Sequence, residues 1–145
     1  MTEDGEYMFF TCARENYKTD SYAFEGDALL ISGNGELGLT KRYSGKFNAY
    51  QRTYVLQSFK IDIDYAKYAI EEYLPRKIYR EKNVGAMPYI VFSTLSDLSI
   101  PVPEIKTQKS IVDKMRLLEK KTEVERETMS NFQIIKHFLL SSLFI

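Results

Sequence analysis

Two prolines one residue apart, in Ile100-Pro101-Val102-Pro103, divide this chain into two kinds of structure. Each ring fixes φ and removes a backbone donor, and each holds the preceding residue extended. Neither a helix nor a central sheet ladder therefore runs through the segment. A strand-like apolar run leads into it, and from about Glu104 one helical pattern continues almost to the last residue. Ile111, Met115, Leu118, Thr122, Glu125, Met129, Phe132, Lys136, Leu139 and Leu143 fall on alternating steps of four and three. That spacing is a heptad seam, apolar at both ends and polar at Thr122, Glu125 and Lys136. No third long helix in the chain is available to receive this face. The pattern therefore predicts pairing with another helix through Ile111, Met115, Leu118, Met129, Phe132, Leu139 and Leu143. The tail His137 to Ile145 is too apolar to stand in water alone.

The segment before the prolines reads as a sheet with a helix. Tyr7 to Cys12 predicts a short strand. Gly26-Asp27 reads as a turn, followed by a buried strand Ala28 to Ser32. Gly33-Asn34-Gly35 is a tight-turn signal leading to a second strand, Leu37 to Thr40, as a hairpin. Ser44-Gly45-Lys46 reads as another turn and Tyr50 to Phe59 as a strand. Apolar residues at 66, 69, 70, 73 and 74 predict a helix from Ile63, ended by Pro75. Residues 76 to 88 read as a basic loop. Tyr89 to Phe92 reads as a short strand or helical turn, with Ser93 or Ser96 as a cap. Eleven tyrosines and nine phenylalanines suit a sheet-containing body.

Net charge is zero, so no overall attraction to nucleic acid follows from composition. The distribution is uneven, however. Residues 41 to 60 carry Lys41, Arg42, Lys46, Arg52 and Lys60 with no acid, and residues 76 to 82 carry Arg76, Lys77, Arg80 and Lys82 against Glu81. Lysine and arginine neutralise phosphates, while arginine, asparagine and glutamine read base edges. Asn34, Lys41, Arg42, Tyr43, Lys46, Asn48, Gln51 and Arg52 form one candidate DNA-binding group, and Arg76, Lys77, Arg80, Lys82 and Asn83 a second. For each residue the competing reading is a solvated hairpin face or loop.

Signals for other chemistry are weak. The glycine turn at 33 to 38 lacks the lysine and the following helix of a phosphate cradle. Glu104-Ile105-Lys106 and Glu119-Lys120-Lys121 carry the Glu-x-Lys spacing of many nucleases, but both lie in the terminal helix and no Pro-Asp precedes them. Asp62 and Asp64 sit where aspartate caps a helix. One histidine, His137, and one cysteine, Cys12, do not assemble a zinc site or a disulfide. No apolar run is long enough for a membrane span, and Thr2 to Glu6 is unlike a secretory signal, so a cytoplasmic location is expected.

The proline joint and terminal helix resemble the specificity subunit of type I restriction–modification enzymes. Asp97-Leu98, Ile100-Pro101-Val102-Pro103, Gln108-Lys109 and Ile111-Val112 match that family's wording, with Thr107 replacing an acidic residue. Tyr7 to Asn16, Phe24 to Ser32, Gly33 to Gly38, Tyr50 to Leu56 and the closing leucine-rich tail are similar to its other motifs, in the same order. The resemblance implies an α+β fold, with a target-recognition domain over 1–103 built on a twisted, mainly antiparallel sheet with short helices. One long coiled-coil-type helix over 104–145 would follow, for dimerisation, spacing and partner docking. It implies a non-catalytic protein that reads one half of a bipartite site in double-stranded DNA. It also implies docking to methyltransferase (modification) subunits and a restriction subunit, which would bind S-adenosylmethionine, ATP and magnesium; this chain would bind no cofactor or metal itself. Such subunits usually carry two recognition domains and two helices. A chain with one of each resembles a C-terminal half, and a homodimer would then read two identical half-sites. The alternative is an oligomerisation or interaction protein left from a truncated specificity subunit; a nuclease or methyltransferase is the weaker third reading.

Overall fold

The computed structural model describes residues 5–81 and 89–144 of the 145-residue chain. They fall into two compact units, one through Gln108 and one from Lys109 onward. The first unit holds strands β1 (Tyr7–Phe10), β2 (Asn16–Thr19), β3 (Phe24–Ser32), β4 (Thr40–Ala49) and β5 (Thr53–Leu56), and helices α1 (Ile63–Glu81) and α2 (Phe92–Ser96). Helix α3 (Ile105–Leu143) starts at its end and forms the second unit. The sheet order is β2-β1-β4-β3-β5, antiparallel except where β1 runs parallel to β4. An α+β body with a mainly antiparallel sheet, followed by one long helix, is the class the sequence predicts.

The apolar run Ala28 to Ile31 is buried at every position because both faces of the sheet are covered. Side chains alternate across a strand. Leu29 and Ile31 accordingly meet Ala66, Ile70 and Leu74 of α1, while Ala28 and Leu30 join Phe10 and Phe47 on the other face. The second cluster is aromatic: Phe47 stacks on Phe24 and lies edge-on to Phe10 and Tyr43.

Several boundaries depart from the sequence reading. Gly26-Asp27 and Ser44-Gly45-Lys46 are not turns; they lie inside β3 and β4. Gly26 and Gly45 pair across the two strands with φ of 103° and 135°, so the ladder bends there without ending. Leu37 to Leu39 is not a strand but the second half of the turn, closed by Gly38 N–H to Ser32 O at 2.9 Å and Ser32 N–H to Leu39 O at 3.0 Å. The strand expected over Tyr50 to Phe59 is only β5, which stops before Ser58 at φ 60°. Pro75 does not end α1, which runs six residues further. Pro75 is exposed, as is Glu71, whose carbonyl loses its intrahelical donor on the solvent side of the helix, where the loss costs least. Leu74, Ile78, Lys77 and Glu81 meanwhile hold the next turns to the body. Neither Ser93 nor Ser96 caps α2; Val91 occupies the N-cap without a side-chain bond.

The proline joint is latched to the start of α1. Tyr65 Oη donates to Pro101 O at 2.7 Å, and buried Gln108 donates from Nε2 to Pro103 O at 2.7 Å. Gln108 Oε1 in turn accepts from Asp62 N–H at 2.9 Å, and Asp62 Oδ1 caps the helix by accepting from the N–H groups of Asp64 and Tyr65. Replacing Gln108 with leucine leaves the part-buried Asp62 N–H and Pro103 carbonyl without this partner. Gln108→Leu is therefore expected to lower the first unit's stability by about 2 kcal/mol in urea unfolding.

Candidate nucleic-acid interface

The sheet curls until loops from distant strands meet. Cys12, just beyond β1, donates its thiol to Arg52 O at 3.3 Å and lies 3.7 Å from Thr53 Oγ1, although β4 and β3 stand between β1 and β5 in the sheet. Gly33 N–H donates to Arg52 O at 2.8 Å, and Gly33 O accepts from Ile90 N–H at 2.7 Å. Tyr54 Oη donates to Ile90 O at 2.8 Å. Gly33 is obligatory here by space alone: a Cβ would lie 2.5 Å from Arg52 O and 2.8 Å from the Tyr54 ring. The loops after β1, β3 and β4 and the segment before α2 thereby form one surface that carries Asn34, Gln51 and Arg52.

The structure sorts the remaining candidates differently. Lys41 points into the loop after β1, where its ammonium donates to the carbonyls of Ala13 (2.6 Å) and Arg14 (3.0 Å) and to Asn16 Oδ1 (2.9 Å). Partial burial lowers its pKa from the ordinary lysine value. Its charge organises that loop. Arg42 lies on the α1 face of the sheet and bridges Asp27 at 2.9 Å and Asp64 at 3.2 Å. Tyr43 is part of the aromatic cluster, with its ring centroid 5.0 Å from that of Phe10. Lys46 stands opposite Glu25 in the ladder and over the Tyr22 ring, and a hydrogen bond with Tyr22 raises its pKa. Asn48 Oδ1 accepts from the neighbouring Ala49 N–H.

The second group is not a loop as far as it is described. Arg76, Lys77 and Arg80 lie on the last turns of α1 and line a groove with Tyr73, Asp97 and Ser99. Lys77 donates to Asp97 O at 3.0 Å and pairs with Glu81 at 3.3 Å, and Arg76 pairs with Glu72. Hydrogen bonding by Thr94, then by Lys77, lowers the Glu81 pKa. Lys77 thus ties α1 to the segment after α2, and its removal should act on that contact first. Lys82 and Asn83 lie outside the described residues.

Two participants escaped the sequence reading. Tyr89 supports the Arg52 guanidinium, which sits 5.6 Å from its ring centroid. Arg14 crosses from the first loop to Glu36 in the glycine turn at 2.7 Å. Neither position has a local pattern; only the curl of the sheet brings them to the surface. Among the described residues, no group of three or more His, Cys, Asp and Glu side chains is placed to hold a metal ion. No helix among them is long and apolar enough to cross a membrane.

On α3, the expected pairing positions divide by exposure. Ile111 and Met115 are half-buried. Leu118 is 57% exposed, Phe132 62% and Leu139 48%, and Met129 and Leu143 are likewise exposed.

Residues 2–131 match the family model of the type I restriction modification DNA specificity domain, and the chain belongs to that family. It is similar to the specificity subunit of the type I restriction enzyme EcoDI of Escherichia coli, 35% identical over 136 residues, covering 93% of this chain and 30% of that protein. It is also 23% identical over 117 residues to the MjaVIII specificity subunit of Methanocaldococcus jannaschii, covering 79% of this chain and 28% of that protein. The fold is shared with the S subunit of a type I restriction-modification system from M. genitalium, with TM-score 0.66 at 20% identity over 84% of this chain and 34% of that one. The chain thus spans about 30% of the length of the curated relatives it matches.

Proposed function

We propose that this chain reads one half of a bipartite site in double-stranded DNA and directs type I modification and restriction subunits to it in the cytoplasm, without catalysis of its own. The first unit is the reader, and the loops gathered around Gly33 and Arg52 face the DNA. The observation that carries this reading is the convergence of three sheet loops into one hydrogen-bonded surface bearing Asn34, Gln51 and Arg52. These are the side-chain types that read base edges, on a rigid support. The methyl transfer and ATP-driven steps belong to the partners, which hold S-adenosylmethionine, ATP and magnesium.

Helix α3 spaces the half-sites and docks partners. Its 39 residues span about 58 Å at 1.5 Å per residue. Its exposed apolar residues exceed one seam: Ile135 and Phe138 lie off the line of Phe132, Leu139 and Leu143 and are also exposed. One seam suits a second copy of the helix, and the additional stripe suits a modification subunit.

Methylation mapping tests the reading. When the chain is co-expressed with a type I modification subunit, long-read sequencing is expected to show a new methylated motif with two identical half-sites. Unchanged methylation with soluble, assembled protein would overturn the reading.

A further inference from the structure

We infer that Arg52 is the residue that fixes the identity of one base in the half-site, by presenting its guanidinium to the O6/N7 edge of a guanine. This inference rests on the DNA-reading function proposed above. Arg52 is held at φ 64°, a left-handed conformation that a side chain with a Cβ rarely adopts. The conformation is enforced from three sides. Gly33 N–H and the Cys12 thiol both donate to Arg52 O, and Thr53 N–H closes the turn on Tyr50 O at 3.1 Å. A positive φ at an exposed arginine directs attention to what its side chain does.

The environment indicates the task. Lys41, Arg42, Arg76 and Lys77 are each engaged by carboxylates or carbonyls. Arg52 has no acidic partner among the described residues; its guanidinium instead stands on the Tyr89 ring, while the side chain remains exposed. The neighbouring Tyr54 anchors this platform through Ile90 O. A phosphate contact needs a charge within reach and tolerates a swinging side chain. A fixed guanidinium plane matters where two parallel donors must meet two acceptors in one plane, and in the major groove that pair is guanine O6 and N7.

Arg52→Gly separates this role from folding, because glycine accepts φ 64° without strain while removing the guanidinium. The chain would be co-expressed with a type I modification subunit as wild type, as Arg52→Gly and as Tyr89→Ala, and methylated motifs mapped. Arg52→Gly is expected to keep the wild-type melting temperature within about 3 °C. It is also expected to lose preference at one guanine of the half-site by about 5- to 150-fold, with the other positions unchanged. Tyr89→Ala should relax the same position less. An unaltered motif from folded Arg52→Gly would overturn the assignment. Equal loss of methylation at all sites would place Arg52 on a phosphate and also overturn it. No motif from the wild-type chain would instead overturn the functional reading beneath it.

Discussion

Phe47→Ala is expected to destabilise the first unit by about 3–5 kcal/mol, among the largest losses available to a single substitution in this chain. Phe47 is fully buried, and its ring meets three others: Phe24 at 5.3 Å, Tyr43 at 5.6 Å and Phe10 at 5.8 Å between centroids. It also occupies a strand position paired on both sides, with Phe24 of β3 and Met8 of β1. Deleting the ring therefore opens a cavity at the one residue of β4 that is paired to strands on both sides, and those rings cannot close inward without moving their strands. For a unit of this size the loss corresponds to a fall in Tm on the order of 15 °C. Urea unfolding followed by tyrosine fluorescence measures it. A loss below about 1 kcal/mol would mean that the cluster collapses freely and is not the second core of the sheet.

The location of Phe47 also shows what a sequence pattern carries and what it does not. The proline joint, the long helix, the β3 run, the glycine turn at Gly33 and the cap at Asp62 were legible because each depends on local chemistry. Gly26 and Gly45 misled for a physical reason: a glycine signals positive φ, but only the cross-strand partner decides whether that φ turns the chain back or bends a continuing ladder. Pro75 misled because its cost depends on whether the orphaned Glu71 carbonyl faces water. The candidate DNA-binding residues were legible as residue types and not as contacts. Lys41, Arg42 and Tyr43 are consecutive, yet alternation sends Arg42 to the acids beside α1 and its two neighbours to the opposite face. Tyr89 lies 37 positions from Arg52, and no local periodicity links them. The sheet's curl, a product of non-local pairing, selects which basic residues stay available.

Leu118→Asp in α3 is expected to weaken assembly by about 100-fold or more. A carboxylate placed in the apolar N-terminal part of the seam must be desolvated without a partner across it, at a cost of about 3 kcal/mol or more. Leu118 stands over half exposed on an element whose neighbours along the seam, Met129, Phe132, Leu139 and Leu143, are exposed too. So much apolar surface on one helix is what the pairing proposed for α3 would cover. Of the three polar seam positions, Thr122 is the nearest and would not oppose that pairing, because its hydroxyl already donates to Leu118 O at 2.9 Å. Aspartate at 118 could reach only Lys114 and Lys121, one turn away along the same helix, and helix propensity changes too little to confound the result. Sedimentation of wild type and variant across a concentration series reads the effect. The wild type is expected to show a mass of two or more chains and the variant to shift toward one, with the urea midpoint of the first unit unchanged. Equal masses for the two would remove the seam from the assembly and overturn the spacing role proposed for α3.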